Sequence, residues 1–203
     1  PHALVQSAKG LYDSQRYAEA SQQLGQAAAA YGAIGDGPNQ AQALSLQSLA
    51  LQKLGDWTNA QAVLDQSFAV LDSVAKPPVR IRAQLFNAQG HLYLSTGQSQ
   101  AAFNSWQNAE RDYLAVDEQA GAMGSQINQI QALESIGSYR QAGQILDEVE
   151  ANLNQITDPR IKVKGHLKLG NLLRLRGELE RSRNQLTMGL DLVQDLNRPD
   201  LLN

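Results

Sequence analysis

The hexapeptide Gly55-Asp56-Trp57-Thr58-Asn59-Ala60 shares a pattern with Gly137-Ser138-Tyr139-Arg140-Gln141-Ala142: glycine, any residue, aromatic, two residues, alanine. Looser copies run from Gln15 to Ala20, from Gly97 to Ala102 and from Gly177 to Ser182. The copies start at 15, 55, 97, 137 and 177, a period of about 40 residues, and fixed periods of this size mark arrays of stacked repeats. A unit so short cannot bury its own apolar face, so each must pack on the next. Composition decides what kind of unit it is. The 203 residues are rich in Ala, Leu and Gln, and only 5% are aromatic, which favours helices over strands.

Each unit therefore reads as two amphipathic helices, A before the turn and B after it. Glycine at the turn can take the left-handed conformation that ends helix A. Seven residues before the turn stand Ala8, Ser48, Gly90, Ile130 and Gly170, and five after it Ala20, Ala60, Ala102, Ala142 and Ser182. Small side chains at both places let A and B approach closely, with Leu24, Leu64, Trp106, Leu146 and Leu186 filling the space beside them. Ile130 predicts a wider fourth hairpin. Pro38, Pro77-Pro78, Pro159 and Pro199 precede or open an A helix, where a missing N–H is tolerated. Unit boundaries fall at about 1–35, 36–76, 77–117, 118–157 and 158–197, and residues 198–203 read as the start of a truncated further repeat.

The pattern resembles the tetratricopeptide repeat (TPR). Unit three carries it as Phe86, Gln89-Gly90, Tyr93, Gly97, Ala102, Trp106 and Ala109, and unit two as Leu44, Ser48, Leu51, Gly55, Trp57, Ala60, Leu64 and Ser67. The resemblance implies an all-α, right-handed superhelical solenoid of about five hairpins, acting as a protein-interaction scaffold. The period departs from the usual unit of about 34 residues. A narrower resemblance lies in the wording of residues 90–143, which is similar to the repeat region of cyanobacterial proteins that carry a caspase-like CHAT peptidase domain. It implies an effector outside this segment, because that peptidase needs a Cys and the chain has none.

In such solenoids the A helices line a concave groove, and residues off their packing face form its surface. These include Lys9, Tyr12 and Asp13, then Ser45, Leu46, Leu49 and Gln52, then Asn87 and His91, then Asn128 and Gln131, and finally Lys164, Lys168, Asn171 and Arg174. The mixture of amides, small and apolar side chains suits a peptide or an extended piece of another domain. Residues 1–158 hold 8 Lys/Arg against 15 Asp/Glu, whereas residues 159–183 hold 8 against 2, so unit five is a basic block on an acidic chain. Asn87, His91, Asn128, Lys164 and Lys168 are similar to the carboxylate clamp by which some TPR domains grip an acidic C-terminal peptide, with Asn87 in place of a Lys and His91 in place of an Asn. The alternative is that the two lysines form a solvated face. The candidate peptide- or partner-binding residues are Asn87, His91, Asn128, Gln131, Lys164, Lys168, Asn171 and Arg174.

Other chemistries find no support. His2, His91 and His166 are scattered, with no second His or carboxylate at helical metal-site spacing, so no metal, cofactor or catalytic residue is assigned and the chain does not read as an enzyme. The basic block lacks interleaved aromatics for base stacking, so nucleic acid is not an expected partner. No apolar run reaches the roughly 18 residues of a membrane span, and the start at Pro1 lacks a signal peptide, as if an N-terminal part were missing. Absence of Cys fits either redox compartment, leaving localisation unknown. The last B helix should expose an apolar face, with end-to-end self-association as the consequence. A structural or regulatory spacer packed in cis against a downstream effector, such as a CHAT domain, is the alternative to a scaffold for separate partners. The recurrence of NQAQAL (39–44) as NQIQAL (128–133) falls seven residues apart in repeat phase, and predicts both Asn side chains on the groove side.

Overall fold

The computed structural model describes residues 1–196, and the expected start of a further repeat at 198–203 lies outside them. The described residues form ten α-helices and no strand: α1 (His2–Asp13), α2 (Tyr17–Ala33), α3 (Gly37–Lys53), α4 (Trp57–Asp72), α5 (Val79–Ser95), α6 (Ser99–Leu114), α7 (Gln119–Ser135), α8 (Tyr139–Gln155), α9 (Pro159–Leu175) and α10 (Leu179–Leu196). Odd-numbered helices are the A helices and even-numbered ones the B helices. Backbone contacts group the chain into two compact units, Pro1–Val116 and a second beginning at Asp117.

The turns follow from local chemistry. Gly55, Gly97, Gly137 and Gly177, each between an A and a B helix, have φ between 75° and 79°, where a Cβ is strained. Gln15 holds the same place before α2 at φ 62° without being glycine. Helix starts are capped by side chains. Asp36 Oδ1 accepts from the Asn39 amide N–H at 3.2 Å while Asn39 Nδ2 donates back to Asp36 Oδ2 at 2.7 Å, and Asp56 and Asn59 repeat this pair before α4. In each of these helices one of the first-turn N–H groups that a helix leaves unsatisfied is thereby met. Asn39 thus serves as a cap residue instead of facing the groove, whereas its counterpart Asn128 lies mid-helix in α7.

In residues 1–116, α3 packs between α2 and α4 and also touches α5. Val5, Ala27, Ala28, Tyr31, Ala43 and Leu44 form one apolar cluster, Ala60, Leu64, Ala88 and Leu92 another, and Ala41, Leu71 and Leu85 a third. Close approach of α2 to α3 depends on Gly25 and Gly32, which lie under the side chains of Gln47 and Gln40. The small positions flanking each turn do what their size predicts: Ala8, Ala20, Ser48, Ala60, Gly90 and Ala102 are buried. Gly90 leaves the space occupied by the Trp106 indole, since a Cβ there would come within 2.5 Å of the ring. The buried Asp112 carboxylate of α6 is gripped by Arg82 of α5 through Nε at 2.6 Å and Nη2 at 3.0 Å.

In the second unit, α7 pairs with α8 and α9 with α10, and α9 packs on both α7 and α8. The α7–α8 hairpin, which carries Ile130 where the others have Ala, Ser or Gly, makes sparser backbone contact than α9–α10. Gly165 of α9 receives the side chains of Leu153 and Met123. His166 is buried, with Nδ1 2.7 Å from Gln185 Oε1 of α10.

Candidate functional surface

The groove-side expectation separates into three outcomes. Ser45 and Gln52 are buried, and Gln52 donates from Nε2 to the Ala88 carbonyl of α5 at 3.2 Å. Gln42 Nε2 donates to Gln84 Oε1 at 2.8 Å. Both amide bonds join α3 to α5, the neighbouring A helix, and they commit Gln42, Gln52 and Gln84 to contacts within the protein. Lys9, Tyr12 and Asp13 instead remain at the surface, around a cleft of about 220 Å³ floored by Ala8, Leu24, Leu46 and Leu49. Burial raises the Tyr12 pKa, helped by Tyr17 and Asp13.

Of the eight candidate residues, Asn87 and His91 belong to the first unit and are half-buried on α5. The His91 ring meets Trp106 edge-on, with centroids 5.3 Å apart and planes at 79°, so its position is set by the core. The other six belong to the second unit. Asn128 and Gln131 are half-buried on α7, while Lys164, Lys168, Asn171 and Arg174 are exposed on α9.

The two lysines stand four residues apart, one helical turn. Lys168 reaches back across α7 so that its ammonium lies over Gly124, where a Cβ would be 2.8 Å away. The residue as a whole is exposed, but its charged end is partly shielded from water. Desolvation, and then the like charge of Lys164, lower its pKa. Among the described residues no carboxylate pairs with either lysine. Three arginines of the basic block are paired: Arg176 Nε bonds Glu178 at 2.9 Å and Glu134 at 3.3 Å, Arg181 bonds Glu150 at 2.8 Å and also Glu178, and Arg183 bonds Glu180.

Gln131 lines an open cleft of about 540 Å³ with Glu134, Tyr139, Leu172, Leu175, Arg176 and Glu178. Arg174 does not join it. It borders a separate cleft, between α9 and α10, with Leu179, Ser182, Arg183, Leu186, Thr187 and Leu190. Tyr139, two residues after its turn glycine and outside the candidate set, is 68% exposed. Among the described residues no three His, Asp or Glu side chains converge as a metal site, and no helix is long and apolar enough to cross a membrane.

No protein-family model matches this chain, and no curated protein matches it. Solved structures do. The chain is similar to a Podosopora anserina protein of nearly identical TPR-like repeats, described under the kinesin light chain name. One form of that protein superposes with a TM-score of 0.68 at 15% identity, over 97% of this chain and 96% of the other. A second gives 0.67 at 16% identity, over 98% and 96%. BtubC (BKLC) from P. vanneervenii superposes at 0.50 with 12% identity, over 97% and 92%. At such identities the likeness speaks for architecture, and it covers nearly all of both chains: this protein has the all-α, TPR-like helical-repeat fold of the superhelical class.

Proposed function

We propose that the chain is a protein-interaction scaffold that holds an acidic peptide segment against the A helices, with Lys164 and Lys168 as its anion contacts. One observation carries this reading: two adjacent ammonium groups on one face of α9 have no carboxylate partner, while Arg176, Arg181 and Arg183 beside them all do. A like-charged pair with one member partly dehydrated is costly when empty, and a bound carboxylate offsets both terms. Asn128, Gln131 and Asn171 supply amide donors and acceptors along the same two helices for the peptide main chain. Arg174, on the same helix as the lysines, extends the contact to further parts of the ligand.

The test uses a fluorescein-labelled peptide of consecutive glutamates with a free C-terminus, and its glutamine analogue. Anisotropy should show binding of the acidic peptide alone, weakened at least tenfold by the double substitution Lys164→Glu, Lys168→Glu and weakened by salt. Equal binding by the double variant sinks the assignment. The similarity of residues 90–143 to CHAT-associated repeats supports a second reading, in which the acidic segment belongs to an effector domain of the same polypeptide and the solenoid regulates it in cis. Activity of such an effector that is unchanged when the repeats are removed would exclude it.

A further inference from the structure

The repeat register shows that the two outer helices carry the two halves of a joint that recurs inside the chain. Sixteen residues after the turn, Leu71 of α4 and Leu153 of α8 are each 1% exposed, but Val193 of α10 is 37% exposed. Thirteen after it, Ala28 of α2 is 3% exposed and Leu190 of α10 is 55%. The internal residues are buried because the next A helix lies on them. α3 covers α2 in this way, α5 covers α4, and α9 covers α8.

The first helix shows the converse. Twelve residues before the turn, Ala43, Leu85 and Gly165 are buried, whereas Ala3 is exposed; five before it, Ala50, Leu92 and Leu172 are buried, whereas Gly10 is exposed. Nothing approaches the space above Gly10. Between them Ser7 is exposed too.

We infer that α10 of one molecule receives α1 of a second copy, in the register of the internal joint between a B helix and the following A helix. The α8–α9 contact gives the template, in which Leu153 sits on Gly165. The same positions bring Val193 onto Ala3. The α2–α3 contact, with Gly25 under Gln47, likewise brings Thr187 onto Ser7. Leu190 then falls between Ala3 and Ser7. The surfaces are complementary in size, medium and large on α10 and small on α1, and none of Thr187, Leu190, Val193, Ala3 and Ser7 is charged. A joint of this kind is heterologous: its two sides differ, so molecules add head to tail, as an open chain or, where the rotation closes, as a ring.

Sedimentation velocity on the 203-residue protein over micromolar to millimolar concentrations tests this. The weight-average mass should rise with concentration above that of a monomer. Leu190→Glu, which spoils only the α10 side, and Ser7→Glu, which spoils only the α1 side, should each be monomeric, with circular dichroism unchanged because both positions are exposed. Mixed, the two variants retain one good side each and should form a one-to-one complex and nothing larger. A monomer at every concentration overturns the proposal. So does a Ser7→Glu protein that still dimerises, because that would mean α10 pairs with itself, and so does failure of the mixture to associate.

Discussion

The Ser48 hydroxyl donates to the Ala60 carbonyl at 2.8 Å, tying helix A of the second hairpin to helix B at their closest approach. Ser182 makes the reciprocal bond to the Gly170 carbonyl at 2.7 Å, with the hydroxyl now on helix B. One hairpin contact is thus built from either side. Replacing Ser48 with Ala also removes the bond that its oxygen accepts from Gln52 Nε2 at 3.2 Å, and should cost about 1–2 kcal/mol. Ser48→Leu should cost more, about 1–3 kcal/mol, because the added atoms meet a filled contact. Urea denaturation of the three proteins gives both numbers, and equal loss in both variants would show that the hydroxyl rather than the spacing matters.

Gly90 makes a sharper case. A methyl group there would lie 2.5 Å from the Trp106 indole, and this ring is fully buried and has nowhere to turn. Alanine improves helix propensity by about 1 kcal/mol, so a purely local account predicts that Gly90→Ala stabilises. Packing predicts loss, about 1–3 kcal/mol for overfilling, and should win. Thermal unfolding followed by tryptophan fluorescence decides, and a raised midpoint would refute the packing account.

Arg82 and Asp112 differ in exposure: the Asp112 side chain is 3% exposed and that of Arg82 39%. Arg82→Ala should therefore leave a buried carboxylate with only the longer contact to Arg111 Nε at 3.5 Å. A loss of about 3 kcal/mol is expected, as for a buried ion pair broken at one partner. Replacing both residues, Arg82→Met with Asp112→Leu, should restore much of it. A single variant as stable as the parent in urea would show that the pair contributes nothing.

Lys168 titrates below an ordinary lysine because burial and Lys164 disfavour its charged form. The unfolded chain therefore binds more protons than the native one between the lowered value and the usual one, and stability should rise with pH across that window. Lys168→Met should remove this slope and raise stability at neutral pH. Gly124→Ala should displace the ammonium toward water and reduce the slope without removing it. Chemical denaturation at a series of alkaline pH values measures both, and a slope unchanged by Lys168→Met would show that another group carries it.

Much of the helical layout could be read from the sequence because short-range chemistry decides it. The turn glycines and the prolines at helix starts act within a few residues. Even Gln15, a residue ill suited to positive φ, was placed by its neighbours Tyr17 and Ala20. What escaped depends on residues distant in sequence. Gln52 looked like groove surface because its burial is imposed by α5, through Ala88. The basic block looked uniform because Glu134 and Glu150, which neutralise Arg176 and Arg181, lie far upstream. Setting those pairs aside leaves Lys164 and Lys168 as the two like charges one turn apart, with the Lys168 ammonium partly shielded from water.

The bonds between successive A helices in residues 1–116, Gln42 to Gln84 and Gln52 to Ala88, are made by uncharged amides. Neither partner gains or loses a proton in the physiological range, and salt does not screen them as it does ion pairs. The spacing from α3 to α5 therefore works as a fixed ruler, with the same graduations in acidic, neutral, dilute or saline surroundings. Any ligand that spans those two helices is measured by the same gauge in every compartment.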